Sequence, residues 1–109
     1  MDCIKNEYEV VLKRREEKAD GSYTAYLFEQ GIDKILKKVG EECTEMVIAA
    51  KNNDKNEVVY EVSDLIYHTL VMMAELGVTP EDVENELKKR AEKRSNLKNF
   101  HQVDKNSWV

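Results

Sequence analysis

Residues 32–51 read IDKILKKVGEECTEMVIAAK, and their spacing decides the fold class. Apolar side chains recur at 32, 35, 36, 39, 43, 46, 47 and 50, the i, i+3, i+4, i+7 rhythm of an amphipathic helix. Gly40 interrupts the rhythm at a cost of about 1 kcal/mol relative to alanine, which points to close packing there. A run of turn formers, Asn52, Asn53, Asp54, Lys55 and Asn56, closes the segment. A second helical pattern then spans about 57 to 76, with its stripe at 58, 62, 65, 66, 69, 72, 73 and 76, and Gly77 ends it. Two long helices joined by about five residues form an antiparallel hairpin.

Outward from that hairpin the chain stays helical. Ile4, Tyr8, Val11 and Leu12 give a first helix over 4 to about 18, and Ala19, Asp20, Gly21 and Ser22 a turn with Ser22 as N-cap. A short helix through Tyr26, Leu27 and Phe28 ends near Gly31. Thr79 as N-cap, Pro80 at the first helical position and acid in the first turn start a fifth helix, with a narrow stripe at Val83, Leu87 and Ala91. No β-alternation and no internal repeat is present. The fold class is all-α, a small bundle of four to five helices built on the central hairpin. Residues 1–96 form the domain, and the tail 97–109, without a sustained period, is either disordered or a partner contact. Cys43, Met72 and Met73 are assigned to packing. Tyr60 and Tyr67 lie off the stripe, where they would cover a base or a partner subunit.

Composition narrows the function. Among 109 residues, 17 basic and 22 acidic side chains leave a net charge of −5. With no long basic block, binding to a nucleic-acid backbone is excluded as a main activity. Cys3 and Cys43 stand far apart, so neither a disulfide framework nor a zinc site is indicated. The longest apolar runs, 46–50 and 70–74, are far short of a membrane span. MDCIKNEYEV has no signal-peptide core. A soluble cytoplasmic protein is the expectation.

Three glutamates, Glu41, Glu42 and Glu45, sit in the middle of the first long helix, and Glu61 and Asp64 in the second. At 100° per residue, Glu42 lies about 80° from the centre of its stripe and Glu61 about 90° from the centre of its own. Glu45, Lys38 and Lys34 share the band beside Glu42, while Glu41 points roughly away from the core. Asp64, His68, Glu57 and Glu75 adjoin Glu61. At 1.5 Å per residue both acidic pairs stand roughly 13 to 16 Å from the bend, so they are level with one another. If the acidic bands share a side, four carboxylates converge, and such a group requires protons, hydrogen bonds or a cation. Mg²⁺, which takes a few carboxylates together with water and phosphate oxygens, suits that donor set. The plainer reading is a solvated charged band with ordinary pairing one turn apart. Cys43 lies on the stripe, and His68, one turn after Asp64, is either a substrate contact or a satisfied polar residue.

SYTAYLFEQGIDKILKKVGEECTEMVIAAKN followed by YEVSDLIYHTLVMMAELGV resembles the phosphoribosyl-ATP pyrophosphatase family of histidine biosynthesis. The broader E-x-x-E and E-x-x-D pattern is similar to all-α nucleoside triphosphate pyrophosphohydrolases of the MazG type. The resemblance covers residues 4 to 95. It implies hydrolysis of phosphoribosyl-ATP to the AMP compound and pyrophosphate, with Mg²⁺ (or Mn²⁺ in its place) held by Glu42, Glu45, Glu61 and Asp64. Glu45, Glu42 and the auxiliary Glu41 would be the catalytic carboxylates. Lys34, Lys38 and Lys51 match the family's basic residues, and Ser22, Tyr23 and Thr24 its S-Y-T start, so these and His68 are candidates for substrate binding. A homodimer or higher homo-oligomer is implied too, in keeping with a hairpin whose end helices offer little core. The tail FHQVDKNSWV matches no pattern of the family.

Three rivals remain. A housecleaning pyrophosphohydrolase acting on dUTP, dCTP or damaged nucleotides would share the metal site and differ in its base pocket. A di-iron carboxylate protein wants Glu-x-x-His on facing helices, which E-x-x-D with His68 a turn later does not supply. A helical interaction module without activity would leave the acids solvated.

Overall fold

Local chemistry at the chain's breaks sets the helices. In the computed structural model, which describes residues 2–18 and 20–97, the elements are α1 (Asp2–Glu17), α2 (Tyr23–Gln30), α3 (Ile32–Lys51), α4 (Lys55–Leu76) and α5 (Pro80–Leu97). No strand occurs among the described residues. Ser22 caps α2, its Oγ accepting from the Ala25 N–H at 3.1 Å. Asn53 takes the left-handed conformation at φ 55°, which asparagine tolerates, and turns the chain between α3 and α4. Asp54 then accepts from the Glu57 N–H, and this cap starts α4 at Lys55, two residues before the sequence pattern places it. Gly77, at φ 75°, closes α4 in the left-handed conformation that glycine adopts without strain.

The chain divides into two compact units after Val78. In the first, α3 and α4 form the antiparallel hairpin, and α1 and α2 pack on it. The core draws on all four helices: Tyr8 and Val11, Leu27, Ile35, and Leu70, Val71, Met73 and Ala74. The Tyr8 hydroxyl donates to the Val78 carbonyl at 2.8 Å, tying α1 to the end of α4. Arg15 adds a second tie, donating to the Ala74 carbonyl at 2.9 Å while lying over the Phe28 ring. In the second unit, Thr79 and Asp82 cap α5 reciprocally, each backbone N–H donating to the other's side chain. Glu84–Lys88 and Glu86–Arg90 pair one turn apart along it. Residues 98–109, most of the tail set apart in the sequence, lie outside the described residues.

The hairpin departs from its stripes in one respect. Of the α3 stripe only Ile35 is buried, and of the α4 stripe only Met73. Cys43, expected in the core, is exposed. Leu36, Val47, Ile48, Val59, Tyr60 and Leu76 are exposed as well. The cause is the cover available: α1 and α2 lie against the side of α4 that carries Leu70, Val71 and Ala74, and helical periodicity cannot say which neighbour covers a stripe. Met72, assigned to packing, is half-buried against the core. The close packing expected at Gly40 is absent, since a side chain placed there would meet no atom within 4 Å.

Candidate functional site

Midway along the hairpin, α3 supplies Glu42 and Glu45 and α4 supplies Glu61. One carboxylate oxygen from each lies within 4.8 Å of the others. Glu42 and Glu61 are buried and Glu45 is exposed, so the group opens to solvent on one side. One buried oxygen of each of these two residues, Oε2 of Glu42 and Oε2 of Glu61, has no hydrogen-bond partner. A buried, unpartnered carboxylate oxygen is costly. Burial, reinforced by the neighbouring Glu42 and Glu45 carboxyls, pushes Glu61 up to about 7 from its ordinary 4.5. Glu42 is raised too, chiefly by burial; the adjoining Glu61 carboxyl works against the shift, and Glu45 and Asp64 add to it. Three carboxylates around one point, two of them with a buried oxygen left unpartnered, are the donor set a hard divalent cation takes.

Asp64 is not a member of that triad. It stands one turn further along α4, half-buried, and its backbone carbonyl accepts from His68 Nδ1 at 2.8 Å. His68 is buried, with its other nitrogen 2.9 Å from the Tyr23 hydroxyl. Lys38 reaches back to the cluster, 3.5 Å from Glu41 and 3.8 Å from Glu42. Burial works against its charge, but Tyr23, Glu41 and Glu42 outweigh it and raise its pKa. Exposed Glu41 thus enters the site only through Lys38. Lys34 is half-buried on α3. Lys51, exposed in the last turn of α3, is not among the residues lining the hollow beside the carboxylates.

Of the S-Y-T start of α2, Tyr23 alone meets a residue beside the carboxylates. Ser22 serves as helix cap. Tyr23 spans to His68, and burial raises its phenol pKa, with Lys38 opposing and Glu42 and Asp64 adding. Thr24 is buried, its hydroxyl bonded to that of Tyr67. Asn52, Asp54 and Glu57 line the hollow of about 290 Å³ beside Glu45 and Glu61, and the sequence reading gave them no role there. The available signal was spacing, since Glu57 precedes Glu61 by one turn and Asp54 caps the same helix.

Comparison with known proteins gives one answer. Residues 5–91 match the family model described as phosphoribosyl-ATP pyrophosphohydrolase. The chain is 54% identical over 98 residues to the phosphoribosyl-ATP pyrophosphatase of Clostridium novyi (strain NT), covering 90% of this chain and 89% of that one. It is 57% identical over 94 residues to the enzyme of the same name from Pelotomaculum thermopropionicum, covering 86% and 96%. Against the histidine biosynthesis bifunctional protein HisIE of Caldanaerobacter subterraneus subsp. tengcongensis it is 55% identical over 93 residues, 85% of this chain and 45% of that one.

Proposed function

The chain belongs to the phosphoribosyl-ATP pyrophosphohydrolase family, and from that premise we propose that it hydrolyses phosphoribosyl-ATP to phosphoribosyl-AMP and pyrophosphate, a step of histidine biosynthesis. The observation that carries the reading is the convergence of Glu42, Glu45 and Glu61 with two orphaned buried oxygens. Mg²⁺, with Mn²⁺ able to replace it, would be held by these three, with Asp64, one turn further along α4, as an outlying fourth carboxylate, and would supply positive charge against the phosphate oxygens and a more acidic water.

The rest of the chemistry belongs to the chain's own side chains. Water attacks phosphorus and the anhydride between the first and second phosphates breaks, the bridging oxygen staying with its electrons on the phosphate that is not attacked, to give the AMP compound and pyrophosphate. Glu45, the exposed carboxylate of the three, would take the proton released by the water. Glu42 and Glu61, held by burial, keep the donor geometry rigid, which is worth most in a water-poor site. Lys38, steadied by Glu41, meets a phosphate oxygen, and Lys34 one turn earlier extends that cationic edge. The exposed apolar stripe of the hairpin supports a homodimer in which a second copy covers it. No described helix is long and apolar enough to cross a membrane, and a step on free nucleotides suits the cytoplasm.

The test is pyrophosphate release by the purified protein from phosphoribosyl-ATP, with Mg²⁺ and with excess EDTA, beside dUTP, dCTP and ATP. Selective, EDTA-sensitive release from phosphoribosyl-ATP is the expected result. Release from the other nucleotides alone would keep the metal site and overturn the pathway.

A further inference from the structure

A cleft of about 800 Å³ opens where α1 ends and α2 begins, and neither the hydrolytic reading nor the core makes use of it. Its size is that of a small-molecule site. Tyr23 and Tyr26 line it with rings stacked at 6.3 Å between centroids, and both stay 43 to 45% exposed although aromatic surface favours burial. Two cations, Arg15 and Lys18, share the walls with three carboxylates, Asp20, Glu29 and Glu75. Arg15 is already committed to the Ala74 carbonyl and to Glu75. An excess of carboxylate repels phosphate but accepts hydrogen bonds from sugar hydroxyls. Flat aromatic faces beside such acceptors suit a base and its ribose.

One residue joins this cleft to the carboxylates. Tyr23 lines the cleft with its ring while its hydroxyl is held by His68 Nε2. His68 is fixed in turn: the Asp64 carbonyl can only accept, so Nδ1 donates to it, while Nε2 shares a hydrogen bond with the Tyr23 hydroxyl. A second ring contact, edge-on between Tyr23 and His68 at 5.7 Å, completes the brace. Tyr23 therefore borders the cleft and is held by His68 next to Asp64, and Lys38, the proposed phosphate contact, is near enough to act on its phenol. From this juxtaposition we infer that the α1–α2 cleft is the nucleoside subsite of the enzyme, with Tyr26 and the braced Tyr23 stacking on the base and the cleft carboxylates accepting from ribose hydroxyls.

The inference rests on a nucleotide substrate, so two measurements are made on the same full-length preparations. The first is the kinetics of phosphoribosyl-ATP hydrolysis by wild type, Tyr26→Ala and Tyr26→Phe. Loss of one stacking face raises KM roughly tenfold in Tyr26→Ala, kcat stays within about threefold, and Tyr26→Phe, which keeps the ring, stays near wild type. The second is amide NMR of the ¹⁵N-labelled protein titrated with AMP in the absence of metal, which needs no turnover. Shifts concentrated at residues 20–29 support the subsite, and their loss in Tyr26→Ala supports it further. An active wild type with unchanged KM in Tyr26→Ala, or AMP shifts that bypass residues 20–29, overturns the subsite and leaves the hydrolytic reading standing. A wild type that releases no pyrophosphate overturns the hydrolytic reading, and the AMP titration still decides the cleft.

Discussion

The two sides of the α3–α4 hairpin carry the reverse of what burial alone selects. One side buries Glu42 and Glu61, and the other leaves Leu36, Val47 and Val59 exposed. Where α1 and α2 cover the hairpin, the ordinary rule holds, with Val11, Leu27, Ile35 and Val71 all but sealed from water. Desolvating carboxylates costs stability, and leaving an apolar face in water forgoes the gain of burying it, about 25 cal/mol per Å². The cation proposed for the first side and the second copy of the chain proposed for the other would each remove one of these costs.

The largest effect should come from the first side. Glu61→Gln keeps the shape and removes a ligand charge, so turnover of phosphoribosyl-ATP falls by about a thousandfold or more while circular dichroism stays unchanged. Turnover at the wild-type rate would remove Glu61 from the site. The matching change on the other side is Val47→Glu with Val59→Glu. Light scattering should then show a single chain of 12.7 kDa, against a larger wild-type mass. A wild type that is itself monomeric would deny the apolar side its partner.

A smaller effect separates the carboxylates from the rest of the fold. Glu61 titrates near 7 in the folded chain and near 4.5 when unconstrained, so in that window the folded state binds more protons than the unfolded one. This contribution to stability is greatest below 4.5 and is lost as pH rises through 7. The metal-free Tm should therefore decline across the window in wild type and less in Glu61→Gln. Equal slopes in the two proteins would mean that Glu61 is not held protonated. The smallest effect leaves both sides in place: Asp54→Ala removes the α4 cap and should cost about 1 kcal/mol in a denaturant titration, with Asp54→Ser restoring most of it.

The helices and the hairpin were legible because their signals are local. Ser22, Gly77 and the Thr79-Pro80 start act within one turn of themselves, and the structure has each in its expected role. The level placement of Glu42 and Glu45 with Glu61 was legible too, as it needs only the helical rise and the loop length. Which side each helix buries was not, because that depends on where α1 and α2 lie; hence Cys43 is exposed. Arg15 reaching the Ala74 carbonyl, 59 residues away in sequence, leaves no periodic trace. The brace from Tyr23 through His68 to Asp64 is hidden for the same reason, since its ends lie on α2 and α4.

The central claim is that the buried carboxylates exist to hold a divalent cation, and the most direct test is thermal melting of wild type and Glu61→Gln with and without Mg²⁺ or Mn²⁺. At a hundred times Kd, binding adds about 2.7 kcal/mol, on the order of 10 °C for a domain of this size. That rise is expected in wild type and is lost in Glu61→Gln. The same Tm with and without the ion in wild type would mean that these carboxylates hold no cation.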